Sequence, residues 1–354
     1  LKRHDSIPRT AIWLAVTASL ALACTALPVD RGHAPEGYAE RPDPHAGAPF
    51  PNWPIPPDEL DRLLRTEKFV VRGATGAGAG TTGAKKVEME FPESGLDFDL
   101  KWKEMPGRWS PVSGRLDGVN NSPRKEIAAW VIQKLVLDPE DYVVPSTLAY
   151  CVPISDFEEE SGVSTSTLDD TSCVLGVLAL WLKELKLPKP LLDPVRFDSD
   201  YVYAYFMSNL NLVTYLMKHH DGREGNFLAS SIPNRRQVFA IDNGVAFGGI
   251  FYNWFVANWN SIRVPALRKE SIDRLRALTE QDFHAALGVV SQLELDDDGV
   301  YQIADPGPNL DPDDGVRREG RVLQLGLTED EIEDVWERAR DLIEDVDDGE
   351  IPVF

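Results

Sequence analysis

Basic side chains are scarce in this chain. Thirty-six Lys and Arg stand against 58 Asp and Glu, a formal net charge of −22 at neutral pH. No long Lys/Arg run offsets that excess, which argues against nucleic acid, or an anionic membrane surface, held through a basic patch. Histidine is rare too. Of six, only His219, His220 and His284 fall where the chain is expected to fold, and no Cys-x-x-Cys occurs, so a zinc site is not expected. None of the acidic runs LELDDDG, LDPDDG and EDVDDGE has the ligand spacing of a known calcium loop, and they read as solvated loops and helix ends. The apolar run AIWLAVTASLALA is too short to span a bilayer comfortably. No internal repeat is found. What remains is globular in character: nine Trp and fourteen Phe argue against disorder, and 354 residues suffice for one large core or two smaller ones.

The opening LKRHDSIPR carries Lys2, Arg3 and Arg9, and the apolar run after it ends in small residues just before Cys24. This charged head, apolar middle and ALAC end resemble the lipobox of bacterial lipoproteins, with Ala21 where Leu is usual. An ordinary secretory signal with an incidental Cys is the other reading; both export the chain. The resemblance implies a signal peptide over residues 1–23 and a lipid on Cys24. It places the protein on the bacterial cell envelope, at the outer membrane or periplasmic face, touching the membrane through that anchor only. Residues 24–57 are rich in Pro, Gly, Ala and His and are expected to form a semi-extended tether, with His33 and His45 idle. In an exported chain the remaining two Cys, Cys151 and Cys173, are a candidate disulfide closing a polar, acidic loop; two buried thiols are the alternative.

Along the body, PPDELDRLLR predicts a short helix with acids in its first turn. EKFVVR, KKVEMEF and LDFDLKWKEM alternate apolar and polar residues and predict three antiparallel strands, the first two joined by GATGAGAGTTGA. RKEIAAWVIQKLVL predicts a helix with Pro123 close to its start, and DPEDYVVPSTLAYCV returns to extended chain. CVLGVLALWLKELKL reads as a buried helix and YVYAYFMSNLNLVTYLMKHH as a long one. FLASS and QVFAI are short strands joined by PNRR. The rest reads as helical: IFYNWFVANWN, ESIDRLRALT, EQDFHAALGVV and TEDEIEDVWERARDLIEDV, the last opened by a capping box of Thr328 with Glu331.

Phosphoryl transfer from a nucleotide needs few parts. Small residues let loop backbone approach phosphates. A strand Lys held by a helix Glu grips phosphate oxygens, an Asp orients and deprotonates the attacking hydroxyl, and an Asn with a second Asp ligates divalent cations. The chain offers these in order: a loop over residues 76–83 with Gly76, Gly78, Gly80, Thr81 and Gly83; Lys101 or Lys103 on the third strand; Glu126 at the start of the next helix; then Asp221, Asn226 and Asp242. Singly, each has an ordinary explanation. The glycines make a floppy loop, the lysines an exposed strand face, Glu126 a favourable helix start, Asp242-Asn243-Gly244 a hairpin turn, and His219 with His220 a helix end. Their joint order and placement in matching elements is what favours the chemical reading.

REGNFL…VFAIDNGVAF resembles the type II phosphatidylinositol 4-kinases, whose catalytic Asp lies five residues before a metal-binding Asn and whose metal Asp lies in an IDNG-x-AF run. KEIAAWVIQKLVL…YVVPST is similar to the E-I-A-A helix and V-P-P segment of secretory-pathway Golgi kinases, and HipA-type kinases share the plan. LKWKEMP resembles the F-K-P strand of the first two groups, which implies Lys101 as the phosphate-binding lysine and Lys103 as second choice. The resemblance spans roughly residues 67–250 at superfamily level. It departs at Gly222, where the lipid kinases carry an Arg directly after the catalytic Asp; here the Arg is Arg223.

The resemblance implies an α+β, bilobal protein-kinase-like fold, with an antiparallel N-lobe over residues 58–150 and a mostly helical C-lobe over 151–354. The expected activity is ATP-dependent phosphotransfer to a hydroxyl on a protein, lipid head group or small molecule. Asp221 is the expected base, Lys101 with Glu126 the phosphate-positioning pair, and Asn226 and Asp242 the Mg2+ or Mn2+ ligands. The rival from another class is a non-catalytic nucleotide-binding or structural envelope lipoprotein with a kinase-like shell. A third reading is nucleotidyl transfer by the same residues.

Overall fold

Alternation along three consecutive segments builds the first sheet. Strands β1 (Val70–Gly76), β2 (Lys85–Phe91) and β3 (Leu96–Glu104) pair antiparallel, with Met89 opposite Phe98 and Val87 opposite Leu100. Their apolar side chains, among them Phe91, Phe98, Leu100 and Trp102, share one face with Leu60, Leu63 and Leu64 of helix α1 (Glu59–Thr66). The computed structural model describes residues 35, 37–76, 84–105, 122–155, 166–219, 224–248 and 263–354. Among these the architecture is α+β, with seven helices and three antiparallel sheets.

The segment expected as a buried helix after Cys173 is a strand. β5 (Cys173–Leu180) lies between β3 and β4 (Thr147–Pro153), giving a sheet order of β1-β2-β3-β5-β4. A strand covered on both faces reads as one continuous apolar run, which periodicity alone does not separate from a buried helix. Here Val174, Leu178 and Leu180 face the first core while Cys173, Leu175 and Val177 face another. Gly176 is the local clue: it pairs with Glu104, and a Cβ there would collide with the Trp102 indole that lies over it. The lobe boundary expected at residue 150 therefore falls inside β4, in a sheet that continues to Leu180. A disulfide joins Cys151 on β4 to Cys173 on β5.

Helix α2 (Pro123–Val136) covers the sheet's second face and is buried nearly all round. Its Trp130, Ile132 and Val136 enter a core with α4 (Tyr201–Leu216), α5 (Lys269–Ala277), α6 (Glu280–Leu287) and α7 (Glu329–Asp347). The short α3 (Pro194–Ser199) precedes α4, and both are capped by acids, Asp193 accepting from the Arg196 amide and Asp200 from that of Tyr203, each at 3.1 Å. A small sheet of β6 (Leu185–Lys186), β7 (Phe227–Ser230) and β8 (Val238–Ala240) contains the expected hairpin.

The later half is not mostly helical. β9 (Ser291–Leu295), β10 (Tyr301–Ala304), β11 (Val316–Glu319) and β12 (Val322–Leu325) form a four-stranded sheet in the order β10-β9-β12-β11. Its Leu293, Tyr301, Leu323 and Leu325 pack with Ile127 of α2 and with the disulfide. Four or five residues per strand, with acidic turns between, carry too little alternation to predict.

The stretch expected to be a tether is ordered against the body from residue 37 onward. Tyr38 donates to the Phe197 carbonyl at 3.0 Å, Asn52 is fully buried with its amide on the Lys183 carbonyl at 2.9 Å, and Trp53 packs against Trp130 and Phe239. His45 is not idle: its Nε2 lies 3.2 Å from Asp141 and 3.3 Å from the Tyr205 hydroxyl. Low apolar content hid a few large side chains that each fill a specific slot. Among the described residues no helix is long and apolar enough to cross a membrane.

Candidate functional site

Three elements distant in sequence meet at one carboxylate. On β3, lysines two apart share a strand face, so Lys101 and Lys103 both point away from the Phe98–Leu100–Trp102 core, toward α2. Glu126, in the first turn of α2, pairs directly with the Lys103 ammonium, and its other oxygen lies 3.5 Å from Lys101. Lys103 also donates to Asp242 at 3.3 Å, and Lys101 approaches the same oxygen at 3.9 Å while donating to the Ile241 carbonyl at 3.2 Å. The expected ranking of the two lysines is thus reversed for the Glu126 pair: Lys103 makes the direct bond and is buried, whereas Lys101 stands nearer the solvent.

Burial would raise the Asp242 carboxyl, but the ammonium groups of Lys103 and Lys101 outweigh it and hold the group below its ordinary value. Burial likewise works against the Lys103 charge, and Glu126 and Asp242 outweigh it, so the ammonium is retained. Asp242 is ionised at neutral pH and keeps 34% of its side-chain surface exposed, against 4% for Lys103 and 5% for Glu126. It is the open member of a closed group.

The β7–β8 hairpin brings Asn226 to the same place. Phe227 pairs with Ala240, and one step beyond, the Ile241 amide donates to the Asn226 carbonyl at 3.0 Å, so Asn226 and Asp242 leave the hairpin together. Asn226 is buried. The Asp242-Asn243-Gly244 tripeptide does not join two paired strands among the described residues. It turns the chain toward α2, where the Ser122 amide donates to the Gly244 carbonyl at 3.1 Å.

His219, expected to end a helix, packs instead beside Asp242. α4 stops at Met217, Lys218 takes a left-handed φ of 48°, and Arg338 of α7 donates to the Leu216 carbonyl at 2.9 Å. The turn drives His219 inward, fully buried, with its ring 5.4 Å from that of Phe227. Its Nε2 lies 3.1 Å from the Asp242 carbonyl. A carbonyl only accepts, so Nε2 carries the proton and donates. The signal available in sequence was the spacing His219-x-Asp221 followed by Asn226.

Gly76 ends β1 opposite Lys85. Gly78, Gly80, Thr81, Gly83, Asp221 and Cys24 lie outside the described residues, as does the segment IFYNWFVANWN. Among the described residues no cluster of three or more His, Cys, Asp or Glu forms a ready-made metal cage. An Asp–Asn pair offers hard oxygen donors of the kind Mg2+ takes while keeping water or phosphate oxygens in its other positions. No protein-family model matches the chain, and no curated protein matches it.

Proposed function

We propose that the protein is an ATP-dependent phosphotransferase of bilobal, protein-kinase-like build that moves a γ-phosphoryl group to a hydroxyl acceptor. The observation that carries this reading is the convergence of Lys103, Glu126 and Asp242 at one half-open carboxylate. A strand lysine paired with a helix glutamate, beside the Asp of an Asp-x-Gly turn, is the arrangement by which protein kinases hold phosphates and metal. His219 adds support, since His219-x-Asp221 with Asn226 five residues beyond the Asp has the His-x-Asp-x4-Asn spacing of a kinase catalytic loop.

In this reading Lys103, held by Glu126, and the more exposed Lys101 take up phosphate oxygens, with the glycine-rich run over residues 76–83 assigned to nucleotide binding. Asp221 receives the proton of the acceptor hydroxyl. Asn226 and Asp242 would hold Mg2+ or Mn2+, which when bound offsets charge on the β- and γ-phosphate oxygens. His219 fixes the backbone of Asp242 and so aims its carboxylate. The protein works outside the cytoplasm on a lipid anchor at Cys24, in keeping with the Cys151–Cys173 disulfide.

Thermal-shift titration with ATP and Mn2+ is the first test; nucleotide at a hundred times its Kd stabilises by about 2.7 kcal/mol. Labelled ATP with an envelope extract then identifies the acceptor as protein, lipid head group or small molecule. Asp242→Ala is expected to cut transfer about a thousandfold, the scale of several kcal/mol of metal-borne charge stabilisation, and to leave the protein folded. Transfer at the wild-type rate by this variant refutes the role given to Asp242. No shift at millimolar nucleotide leaves the non-catalytic shell. Label retained as AMP instead of phosphate points to nucleotidyl transfer.

A further inference from the structure

The first turn of α2 is tied on two sides. Glu126 faces β3, as described. The two residues before it, Arg124 and Lys125, face the C-terminal unit of β9–β12 and α7. Arg124 forms a two-pronged pair with Glu331, its Nη2 at 3.0 Å from Oε1, and Lys125 lies 3.3 Å from that same oxygen. Arg124 also donates to the Gly326 carbonyl at 3.1 Å. Glycines make the socket: a Cβ at Gly315 would collide with the Arg124 guanidinium, and one at Gly326 with the Gly288 carbonyl. Glu331 is held in turn by the α7 capping box, accepting from the Thr328 amide at 3.0 Å.

The charge balance makes Glu331 pivotal. Cations at a helix N-terminus oppose the helix dipole, and both Arg124 and Lys125 are buried there. A third buried cation, Arg317 on β11, stands close enough to Arg124 to feel its charge, and its hydrogen bonds go to the carbonyls of Asp311, Gly288 and Leu327. Burial would raise the Glu331 carboxyl, but Arg124 and then Lys125 bring it down to about 2. One carboxylate therefore holds both Arg124 and Lys125, while Arg317 is balanced by Asp311 and Asp314 as well as Glu331, and Glu331 sits on a different element from the helix it steadies.

We infer that Glu331 is a positioning residue for the phosphate site: by holding Arg124 and Lys125 it keeps the start of α2, and with it Glu126, against Lys103. This rests on the phosphotransfer reading for its consequence but not for its geometry. The C-terminal unit is then part of the site's machinery, and anything that lifts α7 from α2 lowers activity without touching nucleotide or metal.

The test is acylation of Lys103 by an amine-reactive ester, read by mass spectrometry on the full chain. In Glu331→Gln, Lys103 is expected to react about tenfold faster than in wild type, with exposed Lys269 unchanged and hydrogen exchange of the β5 amides unchanged. Phosphotransfer falls by a similar factor. Wild-type reactivity of Lys103 in this variant overturns the inference, as does a rise in β5 exchange matching the rise at Lys103, which would mean general loosening. Should Glu331→Gln fail to fold, Gly315→Ala displaces Arg124 without altering charge and is read the same way. If wild type transfers no phosphate yet Lys103 is unmasked in the variant, the clamp stands and the phosphotransfer reading falls. If wild type is active and Glu331→Gln changes neither quantity, the clamp falls alone.

Discussion

The two ion clusters that meet at the start of α2 use the same materials to different ends. Toward β3, Lys101 and Lys103 face Glu126 and Asp242, two charges against two. Toward α7, Arg124 and Lys125 share the Glu331 carboxylate, and Arg124 also reaches the Gly326 carbonyl in a socket shaped by glycine. The second cluster is the more closed: Arg124 and Lys125 are buried, and Glu331 keeps 17% of its side-chain surface exposed. The first has a more exposed carboxylate, Asp242, reached by its lysines at 3.3 and 3.9 Å. That looseness is the useful property. An acid held ionised by neighbours that it can trade for another cation is a functional-site feature, whereas a fully buried pair is mainly a packing solution.

The largest expected effect separates the lysines within the open cluster. Lys103→Met removes the tight partner of a buried carboxylate, and breaking such a pair costs about 3 kcal/mol or more. Lys101, 3.5 Å from Glu126, takes up part of the charge, so the fold should survive with a lower melting temperature. Phosphotransfer should drop at least about a hundredfold, since the lysine and its glutamate act as one unit. Lys101→Met should cost about 1 kcal/mol, because solvent screens this more exposed group, and should mainly weaken nucleotide binding. Equal losses of stability in the two variants, by denaturant titration, would erase the distinction drawn here between a tight and a loose lysine.

The disulfide tests the same division from the sheet. Cys151 and Cys173 are 22 residues apart in sequence and join the two strands beyond β3. Replacing both by Ala should cost about 3 kcal/mol from the loop-closure entropy returned to the unfolded chain. Nucleotide affinity, measured well below the melting temperature, should hold. Lys103 pairs with Val177 on the face that carries the disulfide, so a loss of affinity as large as the loss of stability would mean that the disulfide sets the geometry of the open cluster and does not only close a loop.

Elements with strong periodicity or capping were legible in the sequence. The capping box of Thr328 and Glu331 marked α7, alternation marked β1 to β3, and two short apolar runs around PNRR marked the β7–β8 hairpin. What escaped did so for physical reasons. β5 is apolar on both faces and looked helical, and the strands of the C-terminal sheet are short. The order of Lys101 and Lys103 depends on how near α2 lies to each, which residue types do not encode. Glu331 was read as a cap and is one, but its second task, across to α2, exists only once the two helices pack. The strap over residues 37–57 escaped because its order comes from single side chains in slots.

That strap supplies the smallest effect and a control for both clusters. His45 packs beside Tyr205 and Phe206 and reaches Asp141, which is buried and also held by Arg268 at 2.6 Å and by the Tyr205 hydroxyl at 2.9 Å. The hydrogen bond to Asp141 raises the His45 pKa; burial opposes it, and the charges of Asp141, Asp43 and Glu140 add to the rise. A histidine raised on folding stabilises fully below its unfolded value, about 6.5, and that contribution is lost as pH climbs through the folded value. The strap should therefore loosen as pH rises through that raised value, seen as faster hydrogen exchange over residues 37–57. Roughly a third of the His45 side chain meets solvent, so screening keeps the change small. His45→Gln should flatten the pH dependence while leaving Asp141 its bonds to Arg268 and Tyr205. Because His45 and Asp141 contact neither cluster, acylation of Lys103 should keep the same pH profile in wild type and variant; a change there would mean that the strap, too, reaches the site.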